Sequence, residues 1–269
     1  MWKTFWDRGG WWRALLLVVA YAVVYQGFGL LSAAVGSDFI AGGDLFAGPG
    51  SVFFGLAFPI LLGGVVLLAF VWSVGWLGEI FGPQPIRGSW WMWIAVALVV
   101  VPIVLRVLGT DWSSYSVGVV LTTLLAGVFI GFAEELLTRG LAVNLLRRGG
   151  FGERAVMLLS SLLFAALHSV NVLTGQPLLT VAVTVVYTFG FGVMMYLVLR
   201  VSGSIVWPML LHAATDPTTI LATGGVDAHG DTAGSAEMIG FAGTFNFVYI
   251  AAALLALILV RGRVERRSA

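Results

Sequence analysis

The sequence predicts an all-α protein, a polytopic membrane bundle of about eight transmembrane helices. Three observations carry that reading. Hydrophobic residues make up 59% of the 269 residues and charged residues only 10%, with a mean hydropathy of +1.00. Several apolar runs reach the roughly 20 residues that a helix needs to cross the hydrocarbon core. Lysine and arginine gather in alternate loops, the pattern of positive-inside bias. Cysteine is absent, which excludes disulfides and thiolate metal sites. A net charge of +1 names no partner; the lipid bilayer is the expected environment, and no nucleic-acid partner is expected.

The elements follow in order. Residues 1–13 carry Lys3, Arg8 and Arg13 among Trp2, Trp6, Trp11 and Trp12, a mixture suited to the membrane interface. No small-residue cleavage site follows, so the first apolar run is expected to stay as a span. Eight spans are expected, near Ala14–Ala34, Val52–Leu77, Trp90–Leu108, Ser116–Leu146, Ala155–Leu173, Leu178–Leu199, Ile205–Ala222 and Met238–Val260. Together residues 14–260 form one transmembrane domain, with a catalytic core at about 115–223 and a basic tail at 261–269. Pro208 and Pro217 make the seventh span the weakest candidate for a continuous helix. Gly190-Phe191-Gly192 in the sixth reads as close helix packing rather than a phosphate loop.

Orientation comes from the loops. Basic residues occupy the N-terminal segment, the loops at 79–87 and 147–154, Arg200 and the tail. Acidic residues Asp38, Asp44, Asp111, Asp227, Asp231 and Glu237 occupy the others, where Arg106 is the one basic exception. Both termini are therefore expected in the cytoplasm, in a cell membrane, with a prokaryotic inner membrane favoured by the compact chain. An even number of spans agrees. The segment 224–237 reads as a solvated outer loop; Asp227, His229 and Asp231 within it alternate and offer a bare chance of a surface cation site.

The costly residues are those inside the spans. Glu134, Glu135 and Arg139 close the apolar run from Val117 to Ile130. Facing lipid at mid-depth, three such charges would cost roughly 8–10 kcal/mol, so they must face protein, water or one another. Glu135 and Arg139 are four residues apart with the acid first, the favourable order for a helical pair. Glu134 points about 100° away and is left for chemistry. Two of the three histidines, His168 and His212, also lie in apolar helices. Counted from Arg148, Arg154 and Arg200, the residues Glu134, His168 and His212 all lie roughly 20 Å in at 1.5 Å per residue. Asp216 stacks one turn beyond His212, and Phe164 one turn before His168, against its ring.

Taken singly, each group has a plain structural reading: an interhelical hydrogen bond or an ion pair. Taken together, they are too many costly groups at one depth for packing alone. No serine or cysteine is paired to a histidine, so water is the natural nucleophile. A buried carboxylate can deprotonate it, and imidazoles can orient it or donate to an oxyanion. Peptide or ester hydrolysis fits the set. Proton-coupled transport also fits, since Glu and His chains mark proton paths. A bound zinc on Glu134, His168 and His212 would leave an open position for water, but it would take Glu134 away from its task as free base. No cofactor is therefore expected, with zinc as the alternative.

These residues resemble the CAAX-protease and bacteriocin-processing (CPBP, or Abi) family of intramembrane endopeptidases, which includes the type II CAAX prenyl endopeptidases. The pattern EExxxR, FxxxH and HxxxN/D is met in order by Glu134-Glu135-Leu136-Leu137-Thr138-Arg139, Phe164-Ala165-Ala166-Leu167-His168 and His212-Ala213-Ala214-Thr215-Asp216. The resemblance implies that Glu134 activates water, that His168 and His212 complete the site, and that Glu135 and Arg139 support it. It also implies an oxyanion-stabilising role at position 216. Asparagine there can donate, whereas an ionised aspartate only accepts; Asp216 must act as a neutral acid or hold His212 instead. The implied substrate is a membrane protein or a lipidated or hydrophobic peptide. A non-catalytic immunity or scaffold protein of the same fold is the second reading, and a transporter the third.

Overall fold

The structure is a computed structural model that describes residues 1–40, 42–225 and 234–265. Seven helices are long and apolar enough to cross a membrane: α1 (Trp11–Val35), α2 (Pro49–Ser73), α3 (Trp90–Gly109), α4 (Val117–Arg148), α5 (Glu153–Leu173), α6 (Leu178–Ser202) and α8 (Ala236–Leu259). Between the last two runs α7 (Val206–Thr223), an eighth helix. The described residues contain no strand, only one isolated bridge between Thr110 and Gly234. The molecule is a multi-pass membrane protein, and its apolar outer residues, such as Leu30, Trp72, Leu179 and Phe247, are those of a lipid-facing surface.

The expected all-α bundle is borne out, with one refinement. The seventh expected span is a continuous helix, yet it is not apolar enough to count among the seven. Its polarity comes from His212, Thr215, Asp216, Thr218, Thr219 and Thr223. Pro208 does no harm because it lies in the first turn, where backbone N–H groups have no helical partner anyway. Pro217 does lie inside, and it deprives the Ala213 carbonyl of its usual donor. Threonine hydroxyls serve the carbonyls around it. Thr215 donates to Leu211, Thr218 to Ala214 and Thr219 to Thr215.

Helix α7 sits against α4 at backbone distance. A Cβ on Gly127 would come within 2.6 Å of the Ala213 carbonyl oxygen and the Pro217 ring, and one on Gly131 within 2.5 Å of the Met209 carbonyl oxygen. The two glycines are four residues apart on one face of α4, and only glycine lets the backbones meet there. This contact brings the acidic pair of α4 to the histidine of α7. Immediately after the pair, α4 widens to a π-helical stretch at Leu136–Ala142 before resuming as Val143–Arg148.

The basic loops gather at one end of the bundle. There Gly10 N donates to Leu145 O, Gln84 N to Gly203 O, Gly88 N to Arg200 O and Glu153 N to Gly262 O. At this end a carboxylate is buried at the first turn of α5. Glu153 accepts from Arg147 Nε and Nη2 at 2.9 and 2.8 Å, from Arg200 Nη1 at 3.0 Å and from the Tyr196 hydroxyl. The short helix Trp2–Asp7 packs here too, with Trp6 buried and Asp7 paired to Arg148 at 3.0 Å. Asp227, His229 and Asp231, and the tail from Arg266 on, lie outside the described residues.

Candidate active site

Four helices converge on one buried cluster. From α4, Glu135 and Arg139 are both fully buried, with Arg139 Nη1 3.2 Å from Glu135 Oε1. The same carboxylate oxygen lies 2.8 Å from His212 Nδ1 on α7, 77 residues away in sequence. A carboxylate only accepts, so Nδ1 is the donor and Nε2 faces the other way. On that side stand Glu134 Oε2 at 3.7 Å and Asp216 Oδ2 at 3.5 Å. The three carboxylates of the set are thus of two kinds. Glu135 is sealed and holds the imidazole, whereas Glu134 is 21% exposed and Asp216 30% exposed, and both line a cavity.

Helix α5 supplies His168 where its α-helical part ends and a tighter 3-10 stretch begins. Its Nδ1 is 3.2 Å from the Phe164 carbonyl oxygen. A carbonyl accepts, so this nitrogen donates and Nε2 is left as the acceptor of the neutral ring. Phe164 is the hub of the packing. Its ring meets His168 edge-on at 5.0 Å and His212 at 5.7 Å, and the Arg139 guanidinium lies 4.5 Å above it. The cation is thus held between a carboxylate and an aromatic face.

Helix α6 closes the back. Arg139 Nη2 donates to the Gly192 carbonyl at 2.9 Å, and a Cβ on Gly192 would crowd Arg139, Phe164 and Ser161 at 3.1–3.2 Å. The Gly190-Phe191-Gly192 stretch is therefore close packing, as its sequence suggested. Phe191 stacks edge-on to His212 at 5.0 Å, a contact no motif announced. Thr138 was missed as well: its hydroxyl donates to the Glu134 carbonyl at 2.6 Å and accepts from Arg139 Nη1. The Gly127–Gly131 spacing is a sequence signal that points to the α4–α7 contact.

The cavity measures about 520 Å³ and reaches well beyond the cluster. Glu134, His168, His212, Asp216 and Phe164 all line it, while Glu135 and Arg139 lie behind them. Helix α1 contributes Tyr21, whose buried hydroxyl has no hydrogen-bond partner among the described residues. Its ring is received by Gly63 of α2, where a Cβ would approach the hydroxyl to 2.6 Å. Helix α3 contributes Arg106. Among the described residues no three His, Cys, Asp or Glu side chains are grouped so as to hold a metal ion. Two of the four imidazole nitrogens already face protein acceptors. Nε2 of each ring stays open, as a bound water or a metal ion would alike require.

Residues 116–218 match the family model described as Type II CAAX prenyl endopeptidase Rce1-like. The resemblance carried by the three motifs is thereby borne out over the segment that contains them. Coarsely, it is the resemblance of a CAAX-type membrane protease. No curated protein and no solved structure matches the chain.

Proposed function

We propose that the protein is an intramembrane endopeptidase that hydrolyses a peptide bond by a water molecule activated at Glu134. The observation that carries this reading is the division of labour between adjacent carboxylates. Glu135 is occupied by Arg139 and His212, while Glu134 meets the cavity with a carboxylate that, among the described residues, has no closer side-chain partner than His212 Nε2 at 3.7 Å. That gap is longer than a hydrogen bond and leaves the carboxylate available to a water molecule.

The steps follow from the tautomers. Water gives one proton to Glu134 and is held through its other hydrogen by His168 Nε2. The resulting hydroxide adds to the scissile carbonyl carbon. His212 stands among Glu134, Glu135 and Asp216; as imidazolium it carries a proton on Nε2 and donates it as a hydrogen bond to the oxyanion. Collapse of the adduct breaks the C–N bond, and the proton on Glu134 passes to the leaving amine. Asp216, one turn from His212 on the same helix, positions that imidazole rather than donating. Glu135 and Arg139 fix its far side, and Phe164 keeps both rings in place. No step is routed through a metal, and purified protein is expected to hold well under one zinc per chain. Zinc that is stoichiometric, is lost in both His168→Ala and His212→Ala, and restores chelated wild type would overturn the metal-free scheme.

The substrate class we propose is a membrane protein or hydrophobic peptide, since the cavity opens among apolar side chains such as Ile60, Ile130 and Leu167. The basic end is assigned to the cytoplasm, to be checked with reporter fusions after Ala269 and within the loop at Gly230, which should give opposite signals. The deciding experiment compares wild type with Glu134→Gln in reconstituted vesicles, reading peptide cleavage by mass spectrometry. Cleavage in wild type and its loss in an equally abundant variant is expected. Equal cleavage by both removes Glu134 as the base.

A further inference from the structure

We propose that Arg106 forms an anion-binding subsite in the same cavity and takes a carboxylate of the peptide substrate. The inference rests on the endopeptidase reading for its biological meaning but on separate residues for its evidence. Arg106 is in the last turn of α3, at the end of the bundle away from the basic loops. It is only 7% exposed, and its Nη1 is buried without a hydrogen-bond partner among the described residues. A guanidinium buried within a membrane span is costly. Its place at a helix C-terminus offsets part of that cost but supplies no hydrogen-bond acceptor.

The groups around it do not discharge that role. No described acid lies within ion-pair distance of Arg106. Asp216 reaches it only through its field, and that carboxylate is turned to His212 at 3.5 Å. Tyr187 and Tyr249 also face it, and the Tyr249 hydroxyl donates to the Leu98 carbonyl at 3.4 Å. Yet Arg106 and Glu134 line one continuous cavity. Along α7 the wall between them is polar, formed by Asp216, Thr219 and Thr223. A peptide whose scissile carbonyl sits at Glu134 can therefore extend along this wall toward Arg106. The guanidinium fork matches a carboxylate in two parallel hydrogen bonds. Such a carboxylate has two peptide sources, the free C-terminus and an acidic side chain.

The test uses binding, so that it does not depend on cleavage. Glu134→Gln protein in uncharged nanodiscs is titrated with a fluorescent Leu/Ala/Val peptide. The peptide is made as free acid, as C-terminal amide, and as amide with one internal Glu. Either carboxylate form is expected to bind about tenfold or more tighter than the plain amide, the size of one charge-assisted interaction. Preference for the free acid alone assigns the C-terminus; preference for the internal Glu assigns a side chain. Adding Arg106→Gln should erase the preference and leave the amide affinity in place, whereas Arg106→Lys should keep part of it. If Arg106→Gln does not accumulate, a preference unchanged in Arg106→Lys sinks the proposal. Equal binding of all three peptides sinks it outright, and so does loss of the preference in phosphatidylglycerol nanodiscs, which would make lipid phosphate the anion. Acid-selective binding without any cleavage by wild type would instead sink the endopeptidase reading and leave this one standing.

Discussion

Two glutamates of this bundle are fully buried and each faces arginine, yet they are built to opposite ends. Glu153 has both oxygens filled, by two arginines and a tyrosine hydroxyl drawn from α4 and α6. Glu135 uses one oxygen twice, for Arg139 and His212, and leaves Oε2 without a partner among the described residues. Arg139 Nε is likewise unpartnered. A saturated buried network rigidifies a structure, whereas one with unfilled positions keeps capacity for something else. The first ties helix ends together. The second holds an imidazole at a set angle beside a carboxylate with access to the cavity.

The harshest way to break this contrast is Glu153→Gln. Removing the charge opposite two buried guanidinium groups is expected to cost about 3–5 kcal/mol of stability, read as loss of folded protein on heating in detergent. Turnover per surviving folded molecule should stay near wild type, because no part of the cluster lines the cavity. A variant that is stable but inactive would join the two regions into one.

Glu135→Gln should do both things at once and each to a smaller degree. The amide can still accept from one neighbour, so stability should fall by about 1–3 kcal/mol. Activity should fall with it, since the amide holds His212 less firmly. Full activity at full stability would show that the imidazole needs no such anchor. Gly131→Ala tests the contact that unites the site. Its Cβ would sit 2.5 Å from the Met209 carbonyl oxygen, and overpacking of this kind costs about 1–3 kcal/mol. The measured loss should be mostly in turnover, because α7 must retreat from Glu134. An unchanged rate would mean that the two helices have room to spare.

The gentlest test lies at the basic end, outside the spans. Burial works to raise the Asp7 carboxyl, but hydrogen bonds from Lys3 and Trp76 and the charges of Arg148 and Lys3 outweigh it and hold the group below its ordinary range. Stability from Asp7 is thus fully present above the ordinary carboxylate pKa and is lost as pH falls through the lowered one. The side chain is 31% exposed and its ion pairs are screened by solvent, so Asp7→Asn should cost less than about 1 kcal/mol and flatten only the acid limb of the stability curve. A larger loss would make the N-terminal helix a structural keystone.

Much of this was legible in the chain itself. Hydropathy marks seven spans directly. The eighth is less apolar because of His212, Asp216 and its threonines, and it was legible as a weaker run whose count agreed with the basic loops that put both termini on one side. Spacing along α4 separated Glu134 from Glu135, since both the pair and its arginine sit on one helix. Spacing could not show that Glu135 also holds His212, because nothing in a linear pattern relates positions 77 residues apart. The same limit hid Phe191 and Tyr21, apolar-looking members of their helices until α7 and α4 are set beside them. Arg106 stood out as a charge in the wrong set of loops, but its direction needed the fold.

The widened turn of α4 has one more consequence. Residues Val117–Glu135 are timed to α7, and residues Val143–Arg148 are timed to Glu153, Asp7 and Glu79. The stretch Leu136–Ala142 between them sets the phase of one run against the other. Relaxing it to ordinary helix with no residue removed would push the extra residue of its wider turn into the rod and rotate the second run by about 100° against the first. Arg147 and Arg148 would swing off their carboxylates while Glu134 and Glu135 kept their bearing. In rotational terms α4 is two helices spliced out of step, and the splice lets one continuous rod serve two partners whose angles do not agree.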